Sequence, residues 1–438
     1  MEVIHPRAAG IDVGSEKLYV AICDGPVQVF DTFTASLHAV RDWLLQAGVR
    51  SVAMEATGVY WLPLYEVLEE AGIEVYVVNG AHVKSLPGRK SDMADCQWLA
   101  KLHSHGLLRS GFVPDEWIRR LRDYQRLRQD HVQLASAHIQ HMQKALDRMN
   151  LKIHEVLSDL MGASGLRLVR AILDGERDRE RLLALCDGQI RRKKEERMRQ
   201  ALQGHWKPEH LFALRQALQA WEFYQAQIAA CDREIAATLQ EIAALTPPSD
   251  PPTAAPRAAK RVHHNAPQIA ALKQLLVRIT GGRDLGTLPA FTDYSVLQVL
   301  AETGPAMTAW PTVKHFTAWA GLAPSSRQSG KRRRREPRFR NRTGRLLCVM
   351  ARSLARSNTI GLGGFYRRLR ATRGPAVANV ATARKLAVLY YNTLRHGLEF
   401  VEQGLSAYEN HYREHSLRRL TAAARKLGMT LTPLPNAA

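Results

Sequence analysis

The stretch Ala9-Gly-Ile-Asp-Val-Gly14 decides the fold of the N-terminal region. An apolar run that is bounded by glycine and carries one acid predicts a buried strand with an embedded carboxylate. The run Leu18–Cys23 follows after a short polar turn, and we expect it to be the hairpin partner. Because an unpaired buried carboxylate is costly, we expect Asp12 to have a cationic partner, for which a metal ion is the strongest candidate. The alternative is the first strand of an ordinary α/β domain with a turn-forming Asp.

Strand-like and helix-like segments alternate through residues 1–112, which we interpret as the first domain. Further strands are predicted at Val27–Phe33, Ser51–Met54 and Ile73–Val78, and helices at Leu37–Ala47, Tyr60–Ala71 and Lys90–His105. Three strands followed by alternating β and α segments are typical of an α/β domain with a mixed sheet.

Residues 113–245 are predicted to form an almost wholly helical arm. Mostly apolar residues recur at intervals of three and four along two segments, which is the pattern of a coiled-coil seam. The seam positions are Val132, Ala135, Ile139, Met142, Leu146 and Met149, then Leu214, Leu218, Trp221, Gln225, Ile228, Asp232, Ile235, Leu239 and Ile242. The pattern leaves open whether the two helices pair within one chain or between protomers.

Six prolines in residues 246–267 predict a semi-extended linker. Beyond it, residues 268–438 are predicted to be a mainly α-helical C-terminal domain. Its apolar helices are expected at Ser295–Glu302, Val313–Gly321, Leu346–Ser357 and Ala376–Gly397.

Positive charge is concentrated towards the C-terminus. The 438-residue chain has a net charge of +21, and residues 260–438 contain 30 Lys and Arg against 8 Asp and Glu. Residues 1–110 contain 9 against 13. Such asymmetry favours a polyanionic partner, most simply a nucleic acid, over a surface charged for solubility alone.

The five cysteines are scattered, with no Cys-x-x-Cys pair, which favours a reducing cytoplasm over a disulfide framework or a zinc knuckle. No apolar run is long enough to span a bilayer, and the N-terminus lacks a signal-peptide pattern. We therefore expect a cytoplasmic protein, bound to the nucleoid when on DNA, with no membrane partner.

Three further acids join Asp12 in the first domain. Glu55 ends a predicted strand, and Asp92 and Asp95 share one face of the helix that follows Gly88 because they lie three residues apart. Four carboxylates from two strands and one helix can form an all-oxygen site for two Mg²⁺ or Mn²⁺ ions. Such a pair of ions supports phosphodiester cleavage. Cations that would suit an arriving phosphate backbone are Lys84, Arg89 and Lys90.

A rival interpretation of the first strand is a nucleotide phosphate loop. The residues Gly10–Ser15 also resemble the first phosphate loop of actin-like and sugar-kinase ATPases. Those proteins need a second phosphate loop and a glycine-rich adenosine motif. The pairs near Gly281 and Gly363 are the only candidates for them, and neither follows a convincing strand, so this rival ranks low.

A basic segment in the C-terminal domain, residues 331–345, predicts a phosphate-gripping loop. Phe339 is available there for stacking on a base or sugar, and Ser325, Ser326 and Ser329 lie just before the cations. A serine hydroxyl at that position could attack a phosphodiester, although a loop serine is more often a turn residue. The predicted nucleic-acid contacts are Lys331, Arg332, Arg333, Arg334, Arg335, Arg338, Phe339, Arg340, Arg342 and Arg345.

Several motifs together resemble the DEDD transposases of bacterial insertion sequences, of the IS-one-ten and IS-eleven-eleven groups, which are related to the Piv invertase. The N-terminal motifs are Gly-Ile-Asp-Val (10–13), Met-Glu-Ala-Thr-Gly-Val-Tyr-Trp (54–61), Val-Asn-Gly-Ala-His-Val-Lys (78–84) and Gly-Arg-Lys-Ser-Asp-Met-Ala-Asp-Cys (88–96). The C-terminal motifs are Lys-His-Phe-Thr-Ala-Trp-Ala-Gly-Leu-Ala-Pro (314–324), Gln-Ser-Gly (328–330), Gly-Gly-Phe-Tyr-Arg-Arg-Leu (363–369) and Ala-Thr-Ala-Arg-Lys-Leu-Ala (381–387). The resemblance covers nearly the whole chain.

This resemblance implies a RuvC-like, RNase H-like first domain whose four acids bind Mg²⁺, and a nucleophilic serine at Ser329. It also implies recombination of donor and target DNA, guided by a non-coding bridge RNA, through a covalent phosphoserine intermediate. The acids and the serine are then expected to meet between protomers of a homo-oligomer, a dimer that assembles into a tetramer.

The chain departs from the family at one turn, and its residues also leave two other function classes open. Family members usually have a Pro-Gly-x-Gly turn ahead of the Lys-His-Phe motif, where this chain has Leu288-Pro-Ala-Phe-Thr-Asp-Tyr. Losing both glycines is expected to remove the positive-φ positions and weaken phosphate gripping there, with the arginines of 332–335 as compensation. The alternatives are a metal-dependent nuclease or junction resolvase without covalent chemistry, and a binding-only protein.

Overall fold

A five-stranded mixed sheet organises the N-terminal unit, Met1–Val113, of the computed structural model. The structure describes residues 2–23, 25–78, 92–247, 265–324, 327–329, 332–334, 339–357 and 361–432. The sheet has the order β3-β2-β1-β4-β5, in which β1, β2 and β3 are antiparallel neighbours and β4 and β5 run parallel to β1. The predicted hairpin and the mixed α/β sheet are confirmed. The strands are β1 (Ala8–Val13), β2 (Lys17–Ile22), β3 (Gln28–Asp31), β4 (Ser51–Glu55) and β5 (Glu74–Val78).

Helices cover both faces of this sheet: α1 (Thr34–Gln46) and α2 (Trp61–Glu70) on one, α3 (Asp92–Ser104) on the other. Because side chains alternate along a strand, Ile11 enters the core under α1 and α2, whereas Gly10 and Asp12 face α3. This alternation puts the embedded carboxylate on the α3 face of the sheet.

Two long helices, α4 (Glu116–Arg148) and α9 (Pro208–Leu245), form the arm. They pack within one chain and antiparallel, since Arg120 pairs with Glu241 and Met142 shares a core with Leu214. The two helices thus pair within one chain, which is one of the two arrangements that the sequence left open. The predicted seam is buried or half-buried along both helices, so the apolar pattern is confirmed as the packing face.

Four short helices lie between α4 and α9 in the chain and form the tip of the arm. Their core includes Leu168 and Ile172 and is shared with Met142, Leu146 and Leu214 of the long helices. The helical character of this segment agrees with the prediction, but the sequence does not predict that these four helices form a small globular tip. The helices are α5 (Ile153–Val156), α6 (Ala163–Leu173), α7 (Arg179–Ala184) and α8 (Gly188–Ala201).

The C-terminal residues add a helical bundle around α15, whose Tyr390 is fully buried. Tyr390 stacks on Phe291 and Phe316, and its hydroxyl hydrogen-bonds with Thr303 Oγ1 at 2.8 Å. The four predicted C-terminal helices are present with shifted ends. The elements are α10 (Leu272–Ile279), α11 (Asp293–Thr303), α12 (Val313–Trp319), β6 (Arg327–Ser329), β7 (Arg332–Arg334), α13 (Arg342–Ser353), α14 (Gly361–Arg373), α15 (Pro375–His396) and α16 (Leu398–Lys426).

Ion pairs join the two arm helices to each other, and the arm to this bundle, inside the second unit, Pro114–Ala438. Arg128 and Asp232 are both buried, and Arg128 Nε donates to Asp232 Oδ1 at 2.5 Å. The carboxylate of Glu302, on α11, forms ion pairs with Arg126 at 2.7 Å and with Arg122 at 3.6 Å. We call these five residues the arm junction.

Some predictions lie outside the described residues, namely most of the linker 246–267 and the cations Lys84, Arg89, Lys90, Lys331, Arg335 and Arg338. The four-part division of the chain stays a prediction. None of the helices in the described part of the chain has the length and apolar character that crossing a membrane requires.

Candidate active site

Asp12 and Glu55 lie side by side at the carboxyl ends of two parallel strands. The register pairs Ile11 of β1 with Met54 of β4, so the next residues along the two strands are Asp12 and Glu55. Neighbouring strands are about 4.8 Å apart, and residues at the same level point to the same face. Both acids are partly buried, with Asp12 between buried neighbours. The sheet therefore presents two carboxylates on the face that α3 covers.

Gly10 brings α3 into backbone contact with β1. A Cβ at Gly10 would overlap the carbonyl oxygen of Cys96 and the backbone nitrogen of Ala100. Only glycine fits this crossing, which fixes α3 directly beside Asp12, two residues further along the same face. Sequence reasoning missed this role of Gly10. Its position two residues before an embedded acid was the available signal.

Asp95 of α3 and Asp12 of β1 lie near one another, because the charges of both act on the Cys96 thiol. Burial, followed by the negative charge of Asp12 and then by that of Asp95, raises the pKa of the Cys96 thiol to about 11. Asp92 is the first residue of α3, three before Asp95. The structure thus brings together Asp12, Glu55 and Asp95, with the backbone of Asp92 less than one helical turn away from that of Asp95. We call these four residues the acid edge.

Ser329 is the last residue of β6, where it pairs in register with Arg332 of β7. The residues that precede this hairpin in the chain contact the residues that follow it. A Cβ at Gly321 would overlap the Phe339 carbonyl oxygen, and the Asn341 side chain donates to the Trp319 carbonyl oxygen at 3.1 Å. The residues before β6 and after β7 are therefore fixed together at the first turn of α13.

Two family models match the chain, and together they span just over half of it. A DEDD model of the IS110 type, described as a transposase, matches residues 9–151. A model described as a transposase of the IS116/IS110/IS902 family matches residues 282–366. The chain belongs to the IS110 family of transposases. No curated protein matches it.

Membership of the family makes the chain a DNA-binding enzyme that cuts and rejoins DNA. The first match contains all four residues of the acid edge, and the second contains Ser329. The matches leave out residues 152–281, which include the short helices of the arm tip.

The donors at the acid edge of the transposase suit a hard divalent cation. All four side chains supply carboxylate oxygens, the ligands that Mg²⁺ and Mn²⁺ prefer. The neighbouring Cys96 thiol is buried, which raises its pKa to about 11 and favours its protonated form near neutral pH. The residues present therefore fit the metal use that the family suggests.

A second group with metal-ligand spacing, Asp147, His154 and Glu155, lies at the arm tip. Its ligand atoms lie within 4.8 Å of one another. Lys152 Nζ already contacts Asp147 at 2.5 Å and Glu155 at 4.0 Å, so an ammonium group partly neutralises this group. The acid edge is the stronger candidate because its acids come from three separate elements.

The predicted nucleic-acid contacts after β7 differ in their surroundings. Phe339 is 83% exposed, and the guanidinium of Arg345 lies 5.9 Å from its ring centroid. Arg340 is exposed as well. Arg342 instead donates to the Gln129 side chain at 3.0 Å and lies 3.8 Å from Glu302, so part of its role is to hold α13 on α4.

The turn before α11 keeps a left-handed residue without glycine. Ala290 has φ +65°, and the Phe291 amide donates to the Leu288 carbonyl oxygen at 3.2 Å. A non-glycine residue in this region costs about 1–2 kcal/mol. Burial of Phe291 against Tyr390 opposes that cost. The expectation that the turn loses its positive-φ position is therefore wrong.

Proposed function

We propose that this transposase is a recombinase that combines a metal-binding acid edge with a serine nucleophile. The observation that carries the proposal is the register of β1 and β4, which sets Asp12 beside Glu55 where α3 brings Asp95. Asp12, Glu55, Asp92 and Asp95 would hold Mg²⁺, with Mn²⁺ as the alternative. Two such ions, when bound, stabilise the attacking and leaving oxygens of a phosphodiester exchange.

The acid edge orients the scissile phosphate, and the Ser329 hydroxyl replaces one sugar oxygen of that phosphodiester. The Ser329 Oγ–P bond forms while the bond from phosphorus to one sugar oxygen breaks. The serine proton passes to a base, and the released sugar oxygen takes up a proton. Attack of a hydroxyl from another DNA strand on the phosphoserine reverses these changes and rejoins the strands.

Guidance by a bridge RNA, which pairs with donor and target DNA, is part of the same proposal and is supported by the family resemblance. We further propose an RNase H-like fold for the N-terminal unit, for which the three antiparallel and two parallel strands are favourable. In a homodimer or tetramer the arm would act as a coiled coil, and the acids and Ser329 of different protomers would meet. The complex would work in the cytoplasm, on the nucleoid.

A covalent adduct tests the serine. The protein is purified with its co-bound RNA and incubated in Mg²⁺ with end-labelled DNA that carries the ends of the element encoding the protein. We expect Ser329→Ala to abolish the labelled protein band on a denaturing gel, whereas Ser326→Ala, three residues away, retains it. Co-purified RNA, sequenced from both variants, confirms that each is folded.

Other outcomes separate this proposal from its rivals. An adduct that persists in Ser329→Ala places the nucleophile elsewhere. Free DNA ends without any adduct in the wild type would identify a metal-dependent nuclease or resolvase. Unchanged rearrangement by Asp12→Asn would remove the acids from the chemistry.

A further inference from the structure

The chain leaves β4 beside the acid edge through a short turn that exposes two neighbouring apolar side chains. The turn covers residues 56–60, directly after Glu55, and we call it the β4 exit turn. Val59 is 76% exposed and Tyr60 is 50% exposed, although the helix that follows them packs on the core. A single exposed apolar side chain is ordinary on a protein surface, but two neighbours at a candidate active site form a patch that can bind a ligand.

Backbone hydrogen bonds hold the β4 exit turn at the carboxyl edge of the parallel strands. The Thr57 amide donates to the Glu55 carbonyl oxygen at 3.0 Å, and the Tyr60 amide donates to the Thr57 carbonyl oxygen at 3.2 Å. The Ala56 amide donates to the carbonyl oxygen of Val78, at the end of β5, at 2.9 Å. The main chain therefore fixes where Tyr60 lies relative to Glu55, and it keeps the turn at the same edge as the acids.

The Tyr60 ring lies next to Gly58 of the same turn. Gly58 has φ +54°, which glycine adopts without strain. A Cβ at Gly58 would lie 3.6 Å from two carbons of the Tyr60 ring, Cδ2 and Cε2. The turn itself thus supports one part of the ring, and the rest of the ring surface stays accessible from solvent.

Trp61, the next residue in the chain, shows what a structural aromatic does at this place. It packs against the core of the N-terminal unit and meets the Tyr65 ring edge-on, with 5.5 Å between the ring centroids. Trp61 therefore fixes the start of α2 on the sheet. Tyr60 is more exposed and lies on the turn that leads from the acids, so packing does not account for an aromatic residue there.

The chemistry of the turn suits a base better than a phosphate. Residues 56–65 contain no charged side chain, so the turn has no cation for a phosphate oxygen. An aromatic ring can stack on any nucleobase, because every base presents a π face. A DNA strand whose phosphate lies at the acid edge brings the bases of the neighbouring nucleotides to the same edge of the sheet.

We propose that Tyr60 stacks on an unpaired base of the DNA strand that is cut at the acid edge, and so positions the scissile phosphate. Val59 adds an apolar contact to the same nucleotide. The inference rests on the proposed function of the acid edge. It adds a base contact to a site whose acids, through bound metal, hold only the phosphate.

Binding of a normal and an abasic strand tests the stacking without requiring catalysis. The protein with its co-bound RNA is titrated in Mg²⁺ against labelled single-stranded DNA from the ends of the element, and binding is followed by fluorescence anisotropy over a series of KCl concentrations. We expect Tyr60→Ala to weaken binding of the normal strand about tenfold. The salt slope should not change, because no phosphate contact is lost. An abasic strand of equal length should bind equally to Tyr60→Ala and to the wild type.

Matched variants separate stacking from apolar burial and from loss of fold. Tyr60→Phe keeps the ring and should retain binding, whereas Tyr60→Leu keeps an apolar side chain without a π face and should lose most of the effect. Phe212→Ala removes an exposed aromatic ring from α9 of the arm and should change nothing. Because Tyr60 is half exposed, the midpoint of urea denaturation should stay the same in all three Tyr60 variants.

The proposal fails if Tyr60→Ala weakens the normal and abasic strands equally, if Phe212→Ala causes the same loss, or if affinity for the normal strand does not change. A loss confined to a labelled RNA strand would also overturn it, since the ring would then contact the guide. The proposed function is tested separately by the covalent adduct. A wild type that forms the adduct while Tyr60→Ala binds normally refutes the stacking alone. A base-dependent loss in Tyr60→Ala together with unchanged rearrangement by Asp12→Asn supports the stacking and refutes the role of the acids.

Discussion

The arm junction and the surroundings of Phe365 in α14 organise basic side chains in different ways. At the arm junction each arginine faces a carboxylate, and Arg128 and Asp232 are only 1% and 4% exposed. Beside Phe365 of α14, the cations of Arg368 and Lys385 lie 5.8 and 4.9 Å from the centroid of one uncharged ring. The same chemical group thus holds helices together in one region and concentrates charge in the other.

The difference separates charges that hold two helices together from like charges that are grouped on a partly exposed surface. Opposite charges that are buried together compensate each other only in the folded chain, so removing one exposes the cost of the other. Like charges on a partly exposed surface repel one another slightly and attract a ligand of the opposite charge. The acid edge also groups like charges, with the opposite sign.

The largest expected effect is on stability and comes from breaking the buried pair. Asp232→Ala leaves the Arg128 guanidinium buried without its carboxylate and removes the acceptor of the Gln268 amide. We expect a loss of about 3–5 kcal/mol in the free energy of unfolding, measured by urea denaturation. Replacing both partners, Arg128→Met with Asp232→Leu, should recover most of that loss.

An exposed pair on the same two helices provides the control. Arg120 and Glu241 are 38% and 49% exposed, and Glu241→Gln should cost at most about 1 kcal/mol. Equal losses in Asp232→Ala and Glu241→Gln would remove the distinction between buried and exposed charge in the arm.

The sequence predicted the embedded acid, the hairpin and the apolar seam because each depends on local alternation or periodicity. It did not predict the contact of Gly10 with α3, since the partner backbone is about ninety residues away. Asp232 is one of the predicted seam positions, but its ion pair is not predictable from the local pattern because its partner Arg128 lies on the other helix. The left-handed Ala290 was missed because burial of Phe291, a tertiary effect, outweighs the local preference for glycine.

Binding of a metal ion between the carboxylates of the acid edge should stabilise the folded protein. With Mg²⁺ at one hundred times its Kd, the wild type should gain about 2.7 kcal/mol in the free energy of unfolding, because the ion binds the folded state. Asp12→Asn should lose most of this gain. The measurement is urea denaturation with Mg²⁺ and with a chelator.

Asp147→Asn is the matched control, because it removes a carboxylate from the second group of potential ligands at the arm tip. It should keep the full effect of Mg²⁺. The opposite result, with the gain retained in Asp12→Asn and lost in Asp147→Asn, would move the metal to the tip.

The smallest expected effect comes from Glu302, where one carboxylate faces several arginines. Arg126 donates two hydrogen bonds to it, at 3.0 and 2.7 Å, and Arg122 lies 3.6 Å away. Glu302 is buried, but Arg126 is 40% exposed and glutamine still accepts a hydrogen bond, so Glu302→Gln should cost about 2 kcal/mol in the free energy of unfolding, less than Asp232→Ala. The same change leaves these arginines with less counter-charge, so nucleic-acid affinity should rise and its salt slope steepen. Weaker binding by Glu302→Gln would mean that the junction orders the nucleic-acid surface rather than restrains its charge.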